Sequence, residues 1–187
     1  MLSPDDEARL AFAGAVGAQR PARVVAVVDL GGASTEIAIG RAETGPAWVR
    51  SVDLGALRLT SRFLEAARSE RRDAEAARRA AREAFGGITP PLPSSALVVG
   101  GSARALRKVV GPHQGPHELA EAERILEAHS PKQIKRRYGV GKRGARQLLA
   151  AALILGEVQR RLFVPLEVTD GGLLEGVVLT AVERAAA

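Results

Sequence analysis

The stretch Val24–Gly40, VVAVVDLGGASTEIAIG, decides the fold. Val24 to Val28 is wholly apolar and rich in β-branched residues, the signature of a buried strand. The strand delivers Asp29 to its carboxyl end, and Gly31-Gly32-Ala33 supply a tight turn. Ser34 to Ile39 then alternates, with Thr35, Ile37 and Ile39 on one face and Ser34, Glu36 and Ala38 on the other. Ala47 to Leu54 reads as a third strand, with Val52 and Leu54 inward. Short turns between these strands predict an antiparallel meander.

Outward from this stretch the pattern becomes helical. Upstream, residues 1–12 read as a helix, with Ser3 and Pro4 ahead of Asp5, Asp6 and Glu7 in its first turn. Downstream, a helix starts after Gly55, and a charged one follows over Ser69–Glu83 with Ala74, Ala77, Ala81 and Phe85 on its inner face. Pro90, Pro91 and Pro93 make a connector before the buried strand Ala96–Val99. Gly100-Gly101-Ser102 opens a helix that Gly111-Pro112 breaks near Val110. Further helices are expected over Glu118–Glu127, Ala145–Leu162 and Leu173 onward, with a short strand at Glu167–Thr169. Trp48 and Phe85 read as core residues. A meander followed by strand–helix alternation predicts an α/β domain with a mixed sheet flanked by helices. No internal repeat or second core is visible in the 187 residues.

The chemistry collects on the same stretch. Gly31, Gly32 and Ala33 let backbone N–H groups approach an anion, and Ser34 and Thr35 add hydroxyls, so the turn reads as a phosphate cradle. Asp29 and Glu36 flank it. Carboxylates beside phosphate call for a cation between them, usually Mg2+, or for a water to be activated. The competing reading is a plain hairpin with a glycine turn and solvated polar residues. Gly100, Gly101 and Ser102 form a second strand–glycine–helix junction that offers helix N-terminal amides to an anion, a weak signal when taken alone.

Charge adds a third feature. The chain carries 27 Lys and Arg against 21 Asp and Glu, for a net +6, and 23 of the basic residues are arginine. Alanine abundance and the lack of asparagine make compositional drift one explanation; a polyanionic partner is the other. Lys132, Lys135, Arg136, Arg137, Lys142, Arg143 and Arg146 fall in a span with no acid. It reads either as a solvated connector or as a guide for a polyphosphate chain. One aromatic, Tyr138, gives nucleic acid little to stack on. Without cysteine there is no disulfide, thiol nucleophile or zinc–thiolate site, and three histidines leave little for a metal cage or a Ser-His-Asp triad. The longest apolar run, near Leu148–Gly156, is too short to cross a bilayer, and the acidic start is not a signal sequence, so a soluble cytoplasmic protein is expected.

Asp29-Leu30-Gly31-Gly32-Ala33-Ser34-Thr35-Glu36 resembles the D-I-G-G-G-S-T-E motif of the exopolyphosphatase / guanosine pentaphosphate phosphohydrolase family. That family belongs to the actin-like ATPase and sugar kinase superfamily, whose lobes are ribonuclease-H-like. Alanine stands at the third glycine; because alanine tolerates positive φ poorly, a tighter or differently tilted loop is expected. Ser3 to Leu10 is similar to the family's S-G-x-E-E-A-R-L segment, and Leu54 to Thr60 to its L-G-A-V-R-L-T. Val99 to Leu106 is similar to its G-G-T-A-x-x-L loop, and Ala151 to Leu155 to its A-G-A-x-I-L helix. Thr169 to Gly176 resembles its S-D-x-G-L-R-E-G turn, with Leu174 in place of arginine.

The resemblance implies that Glu7 is the catalytic base and that the chain corresponds to the second of two lobes. Residues 1–20 would be the connecting helix and 21–187 the ribonuclease-H-like domain; no D-x-G-S-N motif of a first lobe is found. The implied activity is release of terminal phosphate from inorganic polyphosphate or guanosine pentaphosphate with Mg2+, and whether one lobe suffices is an open question. A homodimer or a separate first-lobe partner would complete the site. The alternatives are a non-catalytic half-protein that binds polyphosphate or an alarmone, and an apyrase-type nucleotide phosphatase, which Ala33 suits but Glu36 and the lack of cysteine do not. A sugar kinase is the weakest reading.

Overall fold

The computed structural model describes residues 3–19, 23–65 and 71–186. Its first helix, α1 (Pro4–Gln19), starts on a reciprocal cap: the Ser3 hydroxyl donates to Asp6 Oδ2 at 2.6 Å and accepts from the Asp6 amide at 3.2 Å. The meander follows as β1 (Val25–Leu30), β2 (Thr35–Arg41) and β3 (Gly45–Val52). Helices α2 (Ala56–Phe63) and α3 (Arg71–Phe85) lead to β4 (Ser95–Val99) and α4 (Gly101–Val110). The chain closes with β5 (His113–Gln114), α5 (Pro116–Ala128), α6 (Pro131–Tyr138), α7 (Lys142–Leu162), β6 (Leu166–Val168) and α8 (Leu173–Ala186). The expected boundary at residues 20–21 and the expected helix start at residues 69–70 lie outside the described residues.

The sheet order is β3-β2-β1-β4-β6-β5. β1, β2 and β3 pair antiparallel, β1, β4 and β6 run parallel, and β5 is antiparallel to β6. The mixed α/β sheet and the three-stranded meander are therefore as the sequence reading has them. Both faces are covered, which is why β1 and β2 are buried almost throughout rather than alternating.

On one face α1 lays Ala8, Ala11, Phe12, Ala15 and Val16 against Val25, Val27, Ala38, Leu97 and Val99. Helix α8 packs on α1. Their backbones nearly touch: a Cβ added to Gly176 would overlap the Leu10 carbonyl, and one on Gly171 would lie 2.5 Å from the Gly14 oxygen. The opposite face carries Ala26, Val28, Leu30, Ile37 and Ile39 under α2 to α7.

Helix α7 is the centre of that layer. Leu148, Leu153, Ile154 and Leu155 are fully buried, each contributing roughly 1.5–3 kcal/mol. Its all-round apolar surface invites a partner outside the chain, but α2, α3, α4, α5 and α6 already enclose it. Helix α8 does leave apolar residues in solvent: Leu174, Val178 and Val182 are 76%, 60% and 62% exposed. The one acid deep in α7, Glu157, is neutralised by Arg161 at 2.8 Å and Arg160 at 2.9 Å. Among the described residues no helix is long and apolar enough to cross a membrane.

Candidate active site

Asp29 and Glu36 are register partners across β1 and β2. Strand alternation puts Asp29 on the face of Val25 and Val27, and Glu36 on the face of Ala38, which is the side that α1 covers. The amino end of α1 carries Glu7 over this pair. The three carboxylates feel one another: burial first, then Glu36 and Glu7, push the Asp29 carboxyl up to about 6. Burial also raises Glu36, against the pull of hydrogen bonds from Ser34 and Ser51, the latter at 2.8 Å.

Two glycine loops frame the carboxylates. In the first, the Gly31 amide closes the hairpin on the Ser34 carbonyl at 3.1 Å. The Gly31 and Gly32 carbonyls are held at 3.0 Å by the Ala56 and Arg58 amides at the start of α2. This turns the carbonyls away, and among the described residues the amides of Gly32 and Ala33 donate to no protein acceptor. Ala33 has no positive φ, so alanine is accommodated without the distortion expected of it. The glycine that the loop does require is Gly55: a Cβ there would lie 2.5 Å from the Gly32 carbonyl carbon and 2.7 Å from the Ala33 nitrogen.

The second loop follows β4, parallel to β1. Gly100 has φ +105°, and a Cβ on it would meet the Leu30 carbonyl oxygen at 2.5 Å and Asp29 Oδ1 at 3.3 Å. Only glycine lets this turn pass over the end of β1. It starts α4 beside Asp29 with no side-chain cap, leaving the first amides, from Gly101 and Ser102 onward, for another acceptor.

The structure thus gathers Glu7, Asp29, Glu36, Gly31, Gly32, Ala33, Ser34, Gly100, Gly101 and Ser102 at one end of the sheet. Thr35 is a correction. Its hydroxyl is fully buried and donates to the Leu54 carbonyl at 2.6 Å, so it braces the loop from behind and is not a side-chain phosphate ligand. Arg104 was not singled out by the sequence, because one arginine among 23 carries no signal. In the structure it lies near enough to Asp29 to draw its pKa down.

Asp29 and Glu36 are the residues that could share a cation such as Mg2+. A shared cation would relieve the repulsion and burial that keep Asp29 high. Among the described residues no three His, Asp or Glu side chains form a metal cage.

The basic span is not a loop. Ser130 caps α6 by accepting from the Gln133 amide, and Gly139 ends it in the left-handed conformation, φ 63°. Lys132 and Lys135 from α6 and Lys142, Arg143 and Arg146 from α7 line one cleft together with α2. Arg136 and Arg137 are exposed outside it, Arg137 lying over the Tyr138 ring at 5.5 Å.

The model of the Ppx/GppA phosphatase family matches residues 1–185. Exopolyphosphatase 2 of Mycobacterium tuberculosis (strain CDC 1551 / Oshkosh) is 43% identical over 84 residues, which are 44% of this chain and 26% of that protein. The crystal structure of the Aquifex aeolicus Ppx/GppA family member superposes with a TM-score of 0.88 at 21% identity, over 100% of this chain and 65% of that one. An exopolyphosphatase from Cytophaga hutchinsonii superposes at 0.77 and 19% identity, over 95% and 63%. The chain therefore spans just under two-thirds of these solved relatives and about a quarter of the curated one. Matched by the family's model over nearly its whole length and sharing the fold of its solved members, the chain belongs to the Ppx/GppA phosphatase family.

Proposed function

We propose that the site releases terminal phosphate from a phosphoanhydride, either linear polyphosphate or guanosine pentaphosphate. The observation that carries this reading is the carboxylate pair Asp29 and Glu36, within electrostatic reach of Glu7, beside two glycine loops with unpaired amides. Free amides favour a phosphoryl group whose charge grows during transfer, and cost no reorganisation because the backbone is already fixed. Asp29 and Glu36 would hold Mg2+ directly or through water, and the ion would neutralise phosphate charge there. Glu7 orients a water against the terminal phosphorus. The water oxygen bonds to phosphorus as the bridging P–O bond breaks; its proton passes to Glu7, and the shortened chain leaves with the bridging oxygen.

Phosphate release from long-chain polyphosphate and from guanosine pentaphosphate, with Mg2+, tests the proposal. Glu7→Gln is expected to lower turnover by about 10²–10⁴-fold while substrate still binds. Full activity in that variant would remove Glu7 from the reaction. Binding without turnover is the second reading. It is favoured by the part of the solved relatives that this chain does not span, and a first lobe supplied in trans separates the two.

A further inference from the structure

Helices α6 and α7 form a hairpin, joined by Gly139-Val140-Gly141, in the layer on the opposite side of the sheet from α1. Ile134, Val140, Ala145 and Leu148 are buried and fix the hairpin to the core. Its charged residues all turn outward: Lys132, Lys135, Arg136, Arg137, Lys142, Arg143 and Arg146 are exposed. No acid occurs between Glu127 and Glu157. Among the described residues none of these cations forms an ion pair, although Glu65 lies on the rim of the neighbouring cleft. Arginines elsewhere, such as Arg78, Arg124, Arg160 and Arg161, have carboxylate partners at 2.6–2.9 Å. Lys108 of α4 adds one more exposed cation at the hairpin tip, donating to the Gly139 carbonyl at 3.1 Å. Like charges crowded this way repel one another, and an anionic partner relieves that repulsion.

The chemistry of the surface selects among anions. A lipid surface needs apolar side chains to insert, and among the described residues none of the large exposed apolar ones lies on α6 or α7. An acidic protein would be held by apolar and aromatic anchors, which the same surface lacks. A single strand of nucleic acid stacks its bases on aromatic rings, and here the one ring, Tyr138, lies under the Arg137 guanidinium at 5.5 Å. A duplex needs neither, because its phosphates face outward and are held by charge.

The layout of the cations suits two phosphate backbones. Lys132, Lys135, Lys142, Arg143 and Arg146 line the cleft between α2, α6 and α7, whereas Arg136 and Arg137 lie outside it. At about 100° per residue, positions 132, 135, 136 and 137 cover more than half the circumference of α6. The basic band therefore passes over α6 and does not stay within one groove. A helix with its side chains is about 10–12 Å across, close to the roughly 12 Å width of a major groove, so cations on the two sides of α6 can each meet one backbone. The tip is bare: Gly139 and Gly141 are exposed, and nothing lies within 4 Å of a Cβ added to either, which leaves room for close approach.

We propose that the basic face of α6 and of the start of α7 binds the phosphodiester backbone of a nucleic-acid duplex. The proposal is independent of the phosphoanhydride reading.

The test is fluorescence anisotropy with labelled DNA and RNA duplexes of about two helical turns and arbitrary sequence, titrated over a range of salt. It compares the parent with Lys135→Ala/Arg136→Ala/Arg143→Ala, with the charge-preserving Lys135→Arg/Arg136→Lys/Arg143→Lys, and with a control triple, Arg41→Ala/Arg50→Ala/Arg79→Ala. The hairpin triple is expected to weaken duplex binding by on the order of tenfold or more. It should also lower the slope of log K against log salt by about 2–3, since each lost phosphate contact removes about 0.9. The charge-preserving variant and the control triple should bind within about twofold of the parent. A loss seen with only one kind of duplex supports the proposal and narrows the source to DNA or to RNA. No duplex binding by the parent at low salt, or equal losses in the hairpin and control triples, would overturn it. So would binding of a single strand, polyglutamate, polyphosphate or acidic vesicles that is as tight as that of the duplex and falls equally in the hairpin triple. Thermal melting of each variant separates loss of the surface from loss of the fold.

Discussion

Asp29 and Glu36 stand directly opposite each other on adjacent antiparallel strands, two carboxylates on the face that α1 covers. Like charges in that position destabilise a sheet. Burial raises both carboxyls further, and Asp29 reaches about 6.

A stability cost at neutral pH follows from this pair. Asp29 is raised in the folded state, so its contribution is most favourable below the unfolded value of 3.8 and is lost as pH rises through about 6. In chelator, Asp29→Asn should therefore be more stable than the parent at pH 7, by up to about 1–3 kcal/mol in unfolding free energy, and the gap should close below pH 4. Adding Mg2+ should raise the parent's melting temperature and leave the variant's nearly unchanged. A variant less stable than the parent at pH 7 would show that the two carboxylates do not oppose folding.

The turn after β4 should tolerate no side chain. Gly100→Ala meets the Leu30 carbonyl and requires φ +105°, whereas Gly101, one residue later, has nothing within 4 Å of an added Cβ. Gly100→Ala should cost about 2 kcal/mol or more, and Gly101→Ala less than about 0.5 kcal/mol. Urea denaturation of the two variants measures the difference.

Restoring the family's glycine at position 33 should gain nothing. Ala33 already sits at an ordinary φ, so Ala33→Gly mainly adds freedom to the unfolded chain. The expected change is a loss of about 0.4–1 kcal/mol in stability, with phosphate binding retained. A gain in both would mean that alanine strains the loop.

The contact between α1 and α8 should control the position of Glu7. Gly176→Ala would drive a methyl group into the Leu10 backbone, one turn along α1 from Glu7. We expect a loss of about 1–3 kcal/mol, the usual cost of overpacking, together with slower phosphate release. Turnover of polyphosphate at a temperature where the variant stays folded checks the second effect. Lost stability with unchanged turnover would confine this contact to folding.

Whatever depends on near neighbours is legible in the order of the amino acids. Val24–Gly40 encodes strand, turn and returning strand because β-branched runs, a glycine pair and period-two alternation act over a few residues. Asp29 and Glu36 follow from the same short hairpin, whose register is set by its turn. The inner face of α3, with Ala74, Ala77, Ala81 and Phe85 buried, was legible from helical spacing alone. Tertiary structure decided what distant segments do to one another. Thr35 alternates with the core residues Ile37 and Ile39, but only the return of Leu54 gives its hydroxyl a buried acceptor. Gly55 and Gly176 look like ordinary turn or helix glycines until another backbone comes within a methyl group's width. Arg104 becomes part of the site because β4 runs parallel beside β1. The cleft is assembled from α2, α6 and α7, and no local pattern records that residues some 70 positions apart share one wall. Local propensity acts along the chain, whereas packing and electrostatics act through space, and at these positions the second sets the chemistry.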